Sequence, residues 1–407
     1  IAHYFVLSAS SKISSNMKYR PYISTYDTEI NMQKERLLKL SKLFDEYKNI
    51  NIFKERIWSI TDKTLHTGNE WFRILKDFLK NEKIRNSKNY TFKTPFVGSD
   101  KKQLEMLFPT FGEIDSISEF ETSEIEEIYD KSDIGDSSTN TLHMKLGLIK
   151  TRLLMELPVI CNQSNHYLVL TAHLGQEINI QSTPYQIPTK KLQYLKAGEK
   201  IKGVSDKFFF LPNIVWQTVS SSTLINQNTK GPEYPYTKDD VDEGSTDLNI
   251  VTLRQLRSKS GPSGIEIDLI VSQSEGVLDY LSEFHYIKQN SRYGLEGNNI
   301  NYHLVFYPKV SLSRTTVRSL LREDKKLRRA VKFTSDLLQI KNYYSDQIEI
   351  PDIKELYSTI NKKYGFDKFL ETRDYWTFDQ YENDIPFFST MDLLELYYGR
   401  YTPYFLK

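Results

Sequence analysis

Glu113, Ile114 and Asp115 place two carboxylates two residues apart, and side chains at i and i+2 of a strand leave the same face. Such a pair can share a divalent cation, the hard ion that binds oxygen and steadies a phosphate chain. Gly98 and Ser99 stand ahead of them, with thirteen residues between Ser99 and Glu113. Glycine lets the backbone approach a phosphate closely, and a helix that starts there presents free N–H groups beside the serine hydroxyl. Transfer of a nucleotidyl group uses two such ions about 3.5–4 Å apart.

This stretch resembles the nucleotidyltransferase superfamily of the polymerase-β type. The family pattern is an apolar residue, Gly, then Gly or Ser, a spacer, acid-apolar-acid, and a third acid on a later strand. Val97-Gly98-Ser99 and Glu113-Ile114-Asp115 follow it, with Glu113 where Asp is usual. The spacer length and Gly112 just before the first acid are similar to the viral poly(A) polymerase branch. The resemblance implies that Gly98 and Ser99 contact a nucleoside triphosphate. It also implies that Glu113, Asp115 and Asp268 are catalytic and ligate Mg2+ or Mn2+. The expected reaction is nucleotidyl transfer to an RNA or DNA end, or the joining of nucleotides.

A second constellation is basic. Arg314, Arg318 and Arg322 are four residues apart and form one column on a helix, which Lys325, Lys326, Arg328, Arg329 and Lys332 extend. Eight positive charges in 19 residues make a strong local field in a chain whose 54 basic and 53 acidic residues otherwise cancel. A phosphate backbone is the expected partner, bound mostly without regard to sequence. An alternative function follows: a non-enzymatic nucleic-acid-binding or assembly protein of a virus or organelle, which would use these helices and need no carboxylates.

The elements that must position these groups can be read from periodicity. A strand is expected at HYFVLSAS, a helix from about Thr28 to Tyr47, and a helix from Thr67 with Glu70 in its first turn. NYTFKTPFV reads as a strand delivering the chain to Gly98, where a helix should begin. TLHMKLGLIKTRLLMEL reads as a helix, HYLVLTAHLGQEINIQS as two strands turning at Gly175, Lys190 to Lys200 as a helix, KFFFL as a strand, and the segment after Pro212 as a helix. GIEIDLIV and NINYHLVFYP are expected strands around the helix EGVLDYLSEFHYI, with helices thereafter. The class expected is α+β, a mixed sheet with flanking helices and a mainly helical C-terminal region. Three regions are anticipated: 1–135, an N-terminal helical segment with the candidate nucleotidyltransferase core; 136–310, α/β; and 311–407, helical, first basic and then aromatic.

The remaining signals mostly exclude. A single cysteine, Cys161, rules out a disulfide framework within the chain and any multi-cysteine metal site, and it points to a reducing, intracellular compartment. The longest apolar runs fall short of the roughly 20 residues of a membrane-spanning helix. The start at Ile1 suggests a processed or trimmed N-terminus. The seven histidines show no metal-ligand spacing, and there is no P-loop or dinucleotide fingerprint. The aromatic C-terminal stretch is expected to pack as core; if exposed, it would serve a protein partner or self-association.

Overall fold

The computed structural model describes residues 1–13, 21–123, 137–176, 190–236, 240, 246–298, 300–378 and 385–406. The chain forms two compact units, one of residues 1–216 with 255–264, the other of 217–254 with 265–407. The class is α+β, with the helices gathered towards the C-terminal region.

The first unit is built on a four-stranded parallel sheet of β1 (Ile23–Asp27), β2 (Trp58–Asp62), β5 (Thr110–Asp115) and β6 (His166–Leu170), in the order β2-β1-β5-β6. Helices cover both faces of the sheet, as parallel strands require. On one face Tyr26 and Ile114 meet Trp71, Leu75, Leu154 and Leu157 in a common core. Those residues come from α3 (Gly68–Asp77), which starts at a Thr67/Glu70 capping box, and from α5 (Ser137–Ser164). On the other face lies α1 (Ala2–Ser11), with Val6 and Leu7 buried. A π-helical turn, Phe78–Ile84, and the short α4 (Ser87–Tyr90) lead into an antiparallel hairpin of β3 (Thr91–Val97) and β4 (Gln103–Leu107).

The second unit pairs antiparallel strands. β9 (Ile214–Thr223), β10 (Leu248–Ser258), β11 (Glu266–Ser272) and β12 (Gly276–Val277) form one sheet, and the unit boundary falls within β9 and within β10. β13 (Leu295–Gly297), β14 (Tyr302–Leu304) and β15 (Tyr307–Leu312) form another. Its helices are α6 (Asp279–Gln289), α7 (Val317–Glu323), α8 (Lys325–Tyr343), α9 (Ile353–Tyr364), α10 (Asp367–Leu370) and α11 (Thr390–Tyr397). Phe306, Phe333, Phe366, Phe369 and Phe388 fill its core; of the aromatic C-terminal stretch, Phe388 is packed there while Tyr401 and Tyr404 are exposed.

Several expectations are corrected. HYFVLSAS is helix α1, because its apolar run buries Val6 and Leu7 against the sheet. The Thr28–Tyr47 helix shrinks to α2 (Lys34–Ser41) plus a 3-10 turn at Asp45–Tyr47. Lys190–Lys200 is not a helix; β8 (Glu199–Ile201) follows and pairs with β7 (Leu174–Gln176), which places Gly175 inside a strand. KFFFL is a 3-10 turn, and the segment after Pro212 is β9, rich in Val, Ile and Thr. The parallel and antiparallel strands occupy separate sheets, not one mixed sheet. No division falls near 135, since β6 and α5 complete the sheet and core begun before it. None falls at 310 either, since residues on both sides share one core. The acidic stretch around that first boundary lies, from 124 to 136, outside the described residues.

Candidate active site

Counted along the chain, the parallel strands run 2-1-3-4, so the strand order reverses between β1 and β5. Open α/β sheets bind ligands beyond the carboxyl ends of the strands at such a reversal, where the connections leave in opposite directions. Asp27 and Asp115 are register partners there, the last residues of β1 and β5. Their side chains do different things. Asp27 Oδ1 accepts from the amides of Glu29 and Ile30 at 3.0 Å each, and Oδ2 from Met32 at 2.8 Å, so it shapes the loop after β1. The half-buried Asp115 carboxylate accepts from the Thr171 hydroxyl just past β6.

The next residues are tied to both neighbours. Thr28 N donates to Asp115 O at 2.8 Å, and Ser116 N donates to Thr28 Oγ1 at 2.7 Å. Ile117 N donates to Thr171 O at 2.9 Å. Glu29 and His173, from the loops after β1 and β6, meet at 2.8 Å. Because β5 lies between β1 and β6, that pair crosses the end of the strand that carries Asp115. The hydrogen bond from His173 chiefly holds the Glu29 carboxyl below its usual range.

Two residues earlier, Glu113 is fully buried and faces α1. Its Oε2 lies 2.9 Å from His3 Nδ1 and 3.4 Å from Thr25 Oγ1. Oε1 lies 2.8 Å from the same ring nitrogen, a close contact without hydrogen-bond geometry. Trp58 Nε1 donates to Thr25 Oγ1 at 2.8 Å, which leaves the threonine proton for Glu113. Sequence spacing gave no sign of His3, Thr25 or Trp58. They come from three other elements, brought to Glu113 by strand register and the docking of α1.

The other expected residues lie elsewhere. Gly98 and Ser99 form the tip of the β3–β4 hairpin, where Gly98 N bonds Lys102 O at 2.8 Å. The chain continues as β4 and not as a helix, so the amides of a helix start are not formed there. Asp268 lies on β11 of the second unit and accepts from Thr252 Oγ1 at 2.6 Å.

The basic column is corrected most. Arg318 is buried, forked onto Asp247 at 2.8 and 3.1 Å and bonded to Glu275 at 2.7 Å. Arg322 meets Glu275 at 3.1 Å, Lys326 meets Glu371 at 2.6 Å, and Lys332 meets Glu283 and Asp336 at 3.0 and 2.9 Å. Arg328 donates to the carbonyls of Leu321 and Arg322, Arg314 to that of Pro232, and the buried Arg329 to Thr372 and Phe388. Lys325 is likewise engaged. Arg318, Arg322, Lys326 and Lys332 are thus paired with acids of the second unit, and Arg314, Arg328 and Arg329 with its carbonyl and hydroxyl oxygens.

The metal that the resemblance implies can be tested against these groups. Glu113 does not fit as a ligand: His3 stands against both of its oxygens. Asp115 ends its strand half-buried, its carboxylate accepting from the Thr171 hydroxyl. Among the described residues no three His, Cys, Asp or Glu side chains are grouped to hold a metal. Nor, among them, is any helix long and apolar enough to cross a membrane. No protein-family model matches the chain, and no curated protein matches it.

Proposed function

We propose that the first unit is a nucleotidyltransferase that binds a nucleoside triphosphate in the crevice beyond β1 and β5 and transfers its nucleotidyl group to an RNA or DNA end. One observation carries this reading: Asp115 ends the strand at the point where the order of the parallel sheet reverses. The resemblance in the Gly98 to Asp115 stretch supplies the class of reaction. Mg2+ or Mn2+, when bound with the triphosphate, would offset charge that develops on the phosphates. Thr171 fixes the orientation of the Asp115 carboxylate, and Thr28 and Glu29 close one side of the crevice.

The test is incorporation of radiolabelled nucleoside triphosphates with Mg2+ or Mn2+ and a mixed RNA and DNA primer set. Asp115→Asn and Asp115→Ala run beside the parent, with Asp268→Asn as a control from the second unit. Incorporation by the parent that falls at least tenfold in both Asp115 variants and persists in Asp268→Asn is expected. No incorporation under any metal and primer, or incorporation indifferent to Asp115, overturns the reading.

A further inference from the structure

The contact between Glu113 and His3 has a chemical direction. With Glu113 as a carboxylate, which only accepts hydrogen bonds, the ring nitrogen 2.9 Å from its oxygen, Nδ1, carries the hydrogen. A neutral imidazole with Nδ1–H leaves Nε2 as a bare acceptor. Glu113 is fully buried, whereas the His3 side chain is 25% exposed, so the oriented ring has one end inside and the other within reach of solvent. Behind the carboxylate, Trp58 and Thr25 continue the chain of donors, which fixes Glu113 in turn.

We propose that Glu113 and His3 form a catalytic dyad in which His3 Nε2 is the general base and Glu113 the positioning residue. This deepens the function proposed above and rests on it for the substrate. The acceptor is the terminal hydroxyl of the nucleic acid. Its oxygen bonds to the α-phosphorus as its proton passes to Nε2. The bond from that phosphorus to the bridging oxygen breaks, and pyrophosphate leaves with the electron pair. Glu113 steadies the imidazolium that results, the division of roles found where a carboxylate holds a catalytic histidine.

The experiment uses the full chain labelled with 15N at histidine. Long-range proton–nitrogen spectra of the parent, His3→Gln and Glu113→Gln assign the tautomer of His3, and diethyl pyrocarbonate reports the reactivity of its Nε2. Primer extension and nucleotide binding are measured in parallel. The expected result is an Nδ1–H tautomer lost in Glu113→Gln and a reactive Nε2. His3→Gln should lower turnover about 10²–10⁴-fold, the usual contribution of a general base, with nucleotide affinity within about threefold. An Nε2–H tautomer in the parent, or turnover by His3→Gln within about twofold of the parent, overturns the dyad even if nucleotides are incorporated. If the parent incorporates nothing, the substrate reading falls and the spectra decide the dyad. Nδ1–H with a reactive Nε2 then supports a base for another acceptor, and a protected Nε2 overturns it. Should Glu113→Gln fail to fold, His3→Asn replaces it as the second variant.

Discussion

Lys83 and Thr110 meet in the interior of the first unit, the ammonium nitrogen 2.9 Å from the hydroxyl oxygen and 3.3 Å from the Asn165 carbonyl oxygen, with no carboxylate bonded to the lysine among the described residues. The same hydroxyl contacts His166 Nδ1 at 2.9 Å, so two bases share one neutral partner. Burial pushes Lys83 down to about 7 from 10.5. The unfolded chain therefore binds more protons between pH 7 and 10.5, and stability rises with pH across that window. Lys83→Met should remove the slope between pH 7 and 9. It should also stabilise the unit at pH 7 by about 2–3 kcal/mol, the charging cost less two hydrogen bonds. Urea unfolding at both pH values measures it; a less stable Lys83→Met would show that the amine is held by favourable contacts.

Arg318 is the centre of a buried ion network in the second unit, and its removal leaves Asp247 and Glu275 without their shared cation. Arg318→Ala should cost about 3 kcal/mol or more. Arg322→Ala, whose side chain is 53% exposed, should cost less than about 1 kcal/mol. Neither should change the salt dependence of oligonucleotide binding. Thermal unfolding and filter binding at two salt concentrations check both statements.

Gly112 is required by packing. A Cβ there would lie 2.6 Å from His166 Nε2 and 2.9 Å from Leu168 Cδ1. Gly112→Ala should destabilise the first unit by about 1–3 kcal/mol through this overpacking. His166→Ala in the same chain should recover part of the loss, which a double-mutant cycle would quantify.

The Glu29–His173 pair is exposed, so it should govern local order more than global stability. With the Glu29 carboxyl held below 4.5, the pair contributes above that pH and is lost as pH falls through the lowered value. Glu29→Gln should speed hydrogen exchange at the Ile117 amide about threefold or more at pH 5.5, with the unfolding midpoint unchanged. An unchanged exchange rate would mean that the backbone bonds from Thr28 and Thr171 hold this edge unaided.

Much of the framework was legible because it rests on local rules. Thr67 and Glu70 announced a helix start, and the alternation at 91–97 and the apolar run at 266–272 announced strands. The acid pair on β5 was visible through its two-residue spacing. Its setting was not, because Glu113 finds His3 110 residues away and Thr25 88 residues away. The basic run falls on two helices, α7 and α8, broken at Asp324 and with Arg314 ahead of α7. Of its acids, Asp247, Glu275, Glu283 and Glu371 are distant in sequence and so could not be read from charge spacing, whereas Asp336 stands four residues after Lys332. At Gly98-Ser99 the turn was right and its continuation wrong. Leu104 and Met106 alternate with polar neighbours and lie across from β3, which favours a strand.

The first unit takes in residues 255–264, and Leu256 is part of its core. Its last piece is therefore encoded after residues 217–254, which belong to the second unit. On a ribosome adding roughly 5–20 residues per second, the sheet that carries Asp115 would wait roughly two to ten seconds for that piece. A gene cut after residue 216 would yield a unit still lacking it. Expression boundaries for isolating the site should therefore keep the segment through 264.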